Sequence, residues 1–151
     1  MGRAEFPLEV VLRHLRREEE RWQLALATLQ RRLGEERHRL DHLREGRRAA
    51  LAQLADEQRS PRLDLEAIGR SLVYVNSLGV AIAAQEQVVR DLARHCDETR
   101  DRLLQASRAV KVLDKLKERW LAERRREQLR QEEKVAAEAA TGQFNRRMRA
   151  S

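Results

Sequence analysis

The 151-residue chain has one cysteine, two prolines, two phenylalanines, two tryptophans and a single tyrosine. A lone Cys96 excludes an internal disulfide, and at an apolar-register position it reads as a small buried thiol. With aromatics at 3% there is little material for a globular core. No stretch approaches a transmembrane span. The opening MGRAEFPLEVVLRHLRREEE offers neither a secretory apolar region nor a small-residue cleavage site, so a cytosolic protein is expected.

Chemistry is equally sparse. There is no glycine-rich phosphate loop, cysteine pair, GxSxG or HExxH, which leaves nucleotide binding without support. The carboxylates fall on open helical faces where nothing would desolvate them and raise a pKa toward a catalytic value. No enzyme activity, cofactor or small-molecule substrate is expected. His38 and His42 lie one turn apart, but a structural metal site normally takes four ligands, and both read as solvated flank residues.

What is abundant is charge, 38% of residues, interleaved with Leu, Ala and Val. That is the composition of long helices burying one narrow stripe. The net charge of +7 suits nucleic acid, an anionic membrane surface or an acidic protein. Mixed signs along a helix favour solvated flanks with i,i+4 pairing over a phosphate track. Only the tail, with Arg146, Arg147 and Arg149, is purely basic.

Steps of four and three from Leu8 reach Leu12, Leu15, Glu19, Trp22, Leu26, Leu29, Leu33, Glu36, Leu40, Leu43, Arg47, Ala50 and Leu54. A seam repeating every seven residues for that long marks a coiled-coil strand. It breaks near 57–64, where Ser60 and Asp64 are candidate caps and Pro61 suits a first helical position. A second seam follows as Leu65, Ile68, Leu72 and Val75, then Leu78, Ile82, Gln85, Val89, Leu92, Cys96, Thr99, Leu103, Ala106, Val110 and Leu113. The step from Val75 to Leu78 reads as a stammer, a local overwinding beside Gly79. Folding about residue 60 sets Gly79 level with Leu43 and Gly46, either as a docking level or as relief of packing.

The expected architecture is therefore all-α, a long two-helix antiparallel coiled-coil hairpin forming one domain. Arm 1 covers about 7–58, the tip about 57–64 and arm 2 about 63–140, with Gly142 expected to end the helix within a basic tail of 141–151. Arm 2 outruns arm 1, so an unpaired helix beginning at Asp114 is expected to overhang, frayed until something binds it. A capped turn between two matched seams argues against a basic-zipper DNA reader.

Three segments together resemble the flagellar export protein family FliJ: FPLEVVLRHLRREEERW at 6–22, the break near 60, and KVLDKLKERW at 111–120 with ERRREQLRQEEK after it. The resemblance spans nearly the whole chain. It implies a cytoplasmic hairpin, peripherally associated with the inner-membrane export apparatus in bacterial flagellum biogenesis and motility. The implied partners are the hexameric export ATPase, whose ring would take the two terminal ends, the cytoplasmic domain of the export gate protein, and export chaperones.

Carried over onto this sequence, the gate surface falls on Tyr74, Leu78, Ala81 and Gln85, with Arg39, Leu43, Gly46 and Ala50 as the facing stripe. Leu78 and Leu43 also belong to the seams, so packing competes with docking there. The ring contact falls on Lys111, Lys115, Lys117, Arg119 and Trp120. Where the family tends to carry an acidic residue after an EQK-like stretch, this chain has Ala136 and Ala137. Two alternatives stay open: the related stalk protein of a virulence-type injector, and a basic nucleic-acid-associated coiled coil.

Overall fold

Two helices account for nearly all of the described residues, 4–150, in a computed structural model: α1, Glu9–Arg59, and α2, Leu65–Ala150. They pack against each other antiparallel, and no strand occurs among the described residues. The expected all-α hairpin is the observed fold. The described residues fall into two compact units, one of 20–104 and one joining the stretch up to Glu19 with the stretch from Gln105.

In the 20–104 unit the turn ends at Asp64. Its carboxylate accepts the amides of Glu66 and Ala67 at 3.1 and 3.2 Å, so two of the orphan donors of α2 are satisfied there. Asp64, rather than Ser60, is thus the cap, and Pro61 belongs to the turn.

The seam of this unit follows the arithmetic of the sequence closely. Leu33, Leu92 and Cys96 form a buried cluster with Leu26, Leu29, Val89 and Ala93 against it. Toward the turn Leu40, Ala50, Leu54, Val75 and Ile82 are buried. The stammer, however, is absent. Leu72 is 44% exposed, and the position between the helices belongs to Ser71, whose hydroxyl donates to both carboxylate oxygens of Glu57. The seam of α2 then reads Ile68, Ser71, Val75, Leu78, Ile82, Gln85, an unbroken alternation of three and four. Apolarity alone selects Leu72; a hydroxyl with a cross-helix acceptor fills the slot as well. Gly79 does lie level with α1 near Gly46, since a Cβ there would stand 4.0 Å from the Arg47 guanidinium.

Displaced from the seam, Leu72 joins Val73, Tyr74 and Val80 on the outer face. Residues 71–85 hold no Asp, Glu, Lys or Arg. Against the expectation that no stretch approaches a membrane span, α2 contains an 18-residue window of mean hydropathy 1.4, long and apolar enough by length and composition, of which 11% is buried. The charge of the neighbouring turns masks this segment when the chain is scanned as a whole.

In the other unit Leu12, Val110 and Leu113 are the core, with Leu15 packed on them. The overhang begins later than Asp114, because the entry to α1 covers that stretch of α2. Phe6 is buried and meets Trp120 at 5.7 Å between ring centroids, tilted by 59°. Glu9 pairs with Lys117 at 2.9 Å and Arg16 with Asp114 at 2.8 Å. Beyond Trp120 nearly every side chain is exposed. The helix does not stop at Gly142. No described glycine takes a positive φ, no proline follows, and Arg147 and Arg149 in the last turn complement the helix dipole, so α2 continues to Ala150.

Candidate partner-binding surfaces

A coiled coil without concave chemistry acts through side chains that its seam leaves over, so the surfaces are read from what packing does not consume. In the 20–104 unit the leftover face centres on Tyr74, 56% exposed. A shallow depression of about 730 Å³ lies beside it, lined by Glu66, Gly69, Arg70, Val73, Tyr74 and Ser77. These residues recur at helical spacing on α2, and Gly69 supplies the hollow by lacking a side chain.

The candidate gate stripe divides under this geometry. Tyr74 stands at the surface, and Leu78 and Ala81 are half-buried. Gln85 is 8% exposed, and its amide donates to the main-chain oxygen of Glu36 at 3.0 Å and to the Glu36 carboxylate. On α1, Arg39 is exposed, Leu43 and Gly46 are half-buried, and Ala50 lies in the core. The fold therefore brings Tyr74 to the surface with Ala81 half-buried beside it, leaves the seam residue Leu78 only partly covered, and assigns Gln85 and Ala50 to the helix–helix contact. Val73 and Gly69, which sequence reasoning passed over, complete the accessible patch. The signal available for Val73 was the charge-free run from residue 71, and for Gly69 its spacing of four from Val73 on the same helix face.

The candidate ring contact divides too. Lys111, Lys115 and Arg119 project outward, whereas Lys117 is engaged by Glu9 and Trp120 by Phe6. Arg124 also lies over the Trp120 ring, its guanidinium carbon 5.0 Å from the ring centroid. Phe6 and Arg124 were not singled out from the sequence. The Phe-Pro pair ahead of the first helical turn is the kind of entry signal that marks such a clasp. The Lys117 ammonium, first by its hydrogen bond and then by its charge, holds the Glu9 carboxyl below the ordinary carboxylate range, working against the partial burial that opposes ionisation.

His38 and His42 occupy exposed positions, and no group of three metal-ligating side chains comes together among the described residues. What the geometry defines is an all-α antiparallel coiled coil that presents an apolar patch in one unit and a basic, helical end in the other.

The model of a protein family described as Flagellar FliJ protein matches residues 4–149. The chain belongs to the FliJ family, and with that membership it is a component of the flagellar protein export apparatus. No curated protein and no solved structure matches the chain.

Proposed function

We propose that the chain is a cytoplasmic, non-enzymatic stalk of the flagellar type III export apparatus, inserting its basic end into the export ATPase ring and stimulating ATP hydrolysis. The observation that carries this reading is the course of α2 beyond Trp120. From Leu121 to Ala150 it stays helical with its side chains outward, and Lys115 and Arg119 at its base have no ion-pair partner among the described residues. Such an end has little to bury by itself and suits a polar or acidic lining.

The Tyr74 patch serves in this reading as the contact with the cytoplasmic domain of the gate protein, which places the chain peripherally at the membrane. Export chaperones are further partners. An aromatic side chain in a shallow apolar surround is the usual composition of an interface hot spot.

The test is steady-state ATP hydrolysis by the export ATPase of the same organism, measured alone, with the full chain, and with Lys115→Glu combined with Arg119→Glu. Stimulation by the full chain that the charge reversal removes supports the stalk. Equal hydrolysis in all three mixtures, with helicity intact, excludes it.

A further inference from the structure

The unit that contains the chain's two ends has two unlike flanks. On one, Glu9–Lys117 and Arg16–Asp114 bridge the helices, with Arg13 3.8 Å from Glu9. In an antiparallel pair the flanks meet side against side, so the opposite flanks of α1 and α2 also face each other. There the facing positions are apolar. The stripe on α1 is Leu8 and Val11, 39% and 46% exposed, and on α2 it is Val112 and Leu116, 59% and 41% exposed. Val11 adjoins Leu12 in sequence and Val112 adjoins Leu113, both members of the buried Leu12–Val110–Leu113 cluster, so apolar residues continue from the core onto this flank.

Behind the α2 stripe stand Arg108, Lys115 and Arg119, at helical spacing on one line and all exposed. None of the three has an ion-pair or hydrogen-bond partner among the described residues, although many other arginines of the chain are paired.

We propose that this flank is a docking groove for an amphipathic helix of a partner protein, one whose apolar stripe lies on Leu8, Val11, Val112 and Leu116 and whose margin is acidic. An apolar strip widened onto the flank of a two-helix coil is the geometry that accepts a third helix. The unpaired cations select its charge. A second copy of this chain fits worse, because a self-complementary contact sets the same basic margins against one another. The inference shares Lys115 and Arg119 with the proposed ring contact and adds to them the apolar flank, which the serine pair below tests without altering those charges.

The test uses a fluorescein-labelled synthetic helix of about 21 residues, or six turns. Its leucines repeat at i, i+3, i+4 and i+7 with Glu on the margins, and a control carries Lys in place of Glu. Binding to the full chain is followed by anisotropy at low and high salt. The acidic peptide is expected to bind at least about ten-fold more tightly than the lysine control. Val112→Ser with Leu116→Ser should weaken it by about ten-fold with helicity unchanged, and Lys115→Glu with Arg119→Glu should remove its salt dependence. Equal binding of the two peptides, or binding unaffected by the serine pair, overturns the proposal. So does a concentration-dependent dimer of the free chain that the serine pair abolishes, since that assigns the flank to a second copy. Because no ATPase is present, failure here leaves the export reading standing.

Discussion

The Ser71 hydroxyl donates to the Glu57 carboxylate at 2.9 and 3.1 Å, a polar contact across the turn-proximal end of the coil, at a position that Leu72 was better suited to fill by hydropathy. The contact fits the phase that buried Val75, Ile82, Leu92 and Cys96 give α2, in which the heptad stays regular and Leu72 turns outward with Val73 and Tyr74.

The phase can be checked by truncation. Leu54→Ala removes a side chain 7% exposed in the seam and is expected to cost about 2 to 3 kcal/mol. Leu72→Ala, at 44% exposed, should cost about 0.5 kcal/mol or less. Urea unfolding followed by circular dichroism reads both. Comparable losses would restore Leu72 to the seam.

Gln85 and Glu36 form the polar layer of the same seam. Replacing Gln85 by Ala leaves the half-buried Glu36 carboxylate without its amide donor, an expected loss of about 1 to 3 kcal/mol. Changing both to Leu should restore or exceed the original stability while loosening the choice of register and oligomer. Sedimentation equilibrium then shows a mixture where the parent chain gives one species. A double variant that stays a single species would deny the layer any role in specificity.

The Glu9–Lys117 pair gives a pH dependence of definite sign. Since the folded carboxyl titrates below its ordinary value of 4.5, folding gains from its ionised form above that pH and loses the gain as the pH falls through the lowered value. Amide hydrogen-exchange protection of residues 9–19, corrected for the intrinsic pH dependence of exchange, should therefore fall on acidification below 4.5 more in the parent than in Glu9→Gln, which starts less protected and changes less. Identical acid profiles would show that the pair contributes nothing to holding the entry of α1.

At the Tyr74 patch, Tyr74→Ala is expected to leave the unfolding midpoint nearly unchanged and to weaken binding to the gate protein's cytoplasmic domain by about ten-fold, or 1.4 kcal/mol. Surface plasmon resonance measures the second and thermal melting the first. A large stability loss with binding retained would make Tyr74 a packing residue.

Most of this architecture was legible in advance because a coiled coil is a one-dimensional object. The 3.5-residue repeat is written in the order of Leu12, Leu33, Leu40 and Leu54, and these proved to be buried. Polar chemistry decided what apolarity left open or misread: Ser71 took a seam position from Leu72, and of the two candidate caps Asp64 is the one used; Gly142 failed to end a helix that nothing else interrupts. Of the candidate sites, the outward direction of Tyr74, Lys115 and Arg119 follows from spacing. The burial of Gln85 and the clasp of Phe6 on Trp120 depend on contacts between residues 49 or more apart in sequence, which periodicity does not register.

The chain's two tryptophans fall one in each compact unit. Trp22 is in contact with Arg21 and Arg102, each guanidinium carbon 5.3 Å from the ring centroid, and Trp120 with Phe6 and Arg124. Each unit thus carries its own intrinsic fluorophore. Replacing either tryptophan by phenylalanine leaves an emission that reports one unit alone. Iodide or acrylamide quenching of the two single-tryptophan chains then separates an opening of the Phe6 clasp from melting around Trp22, with no label attached.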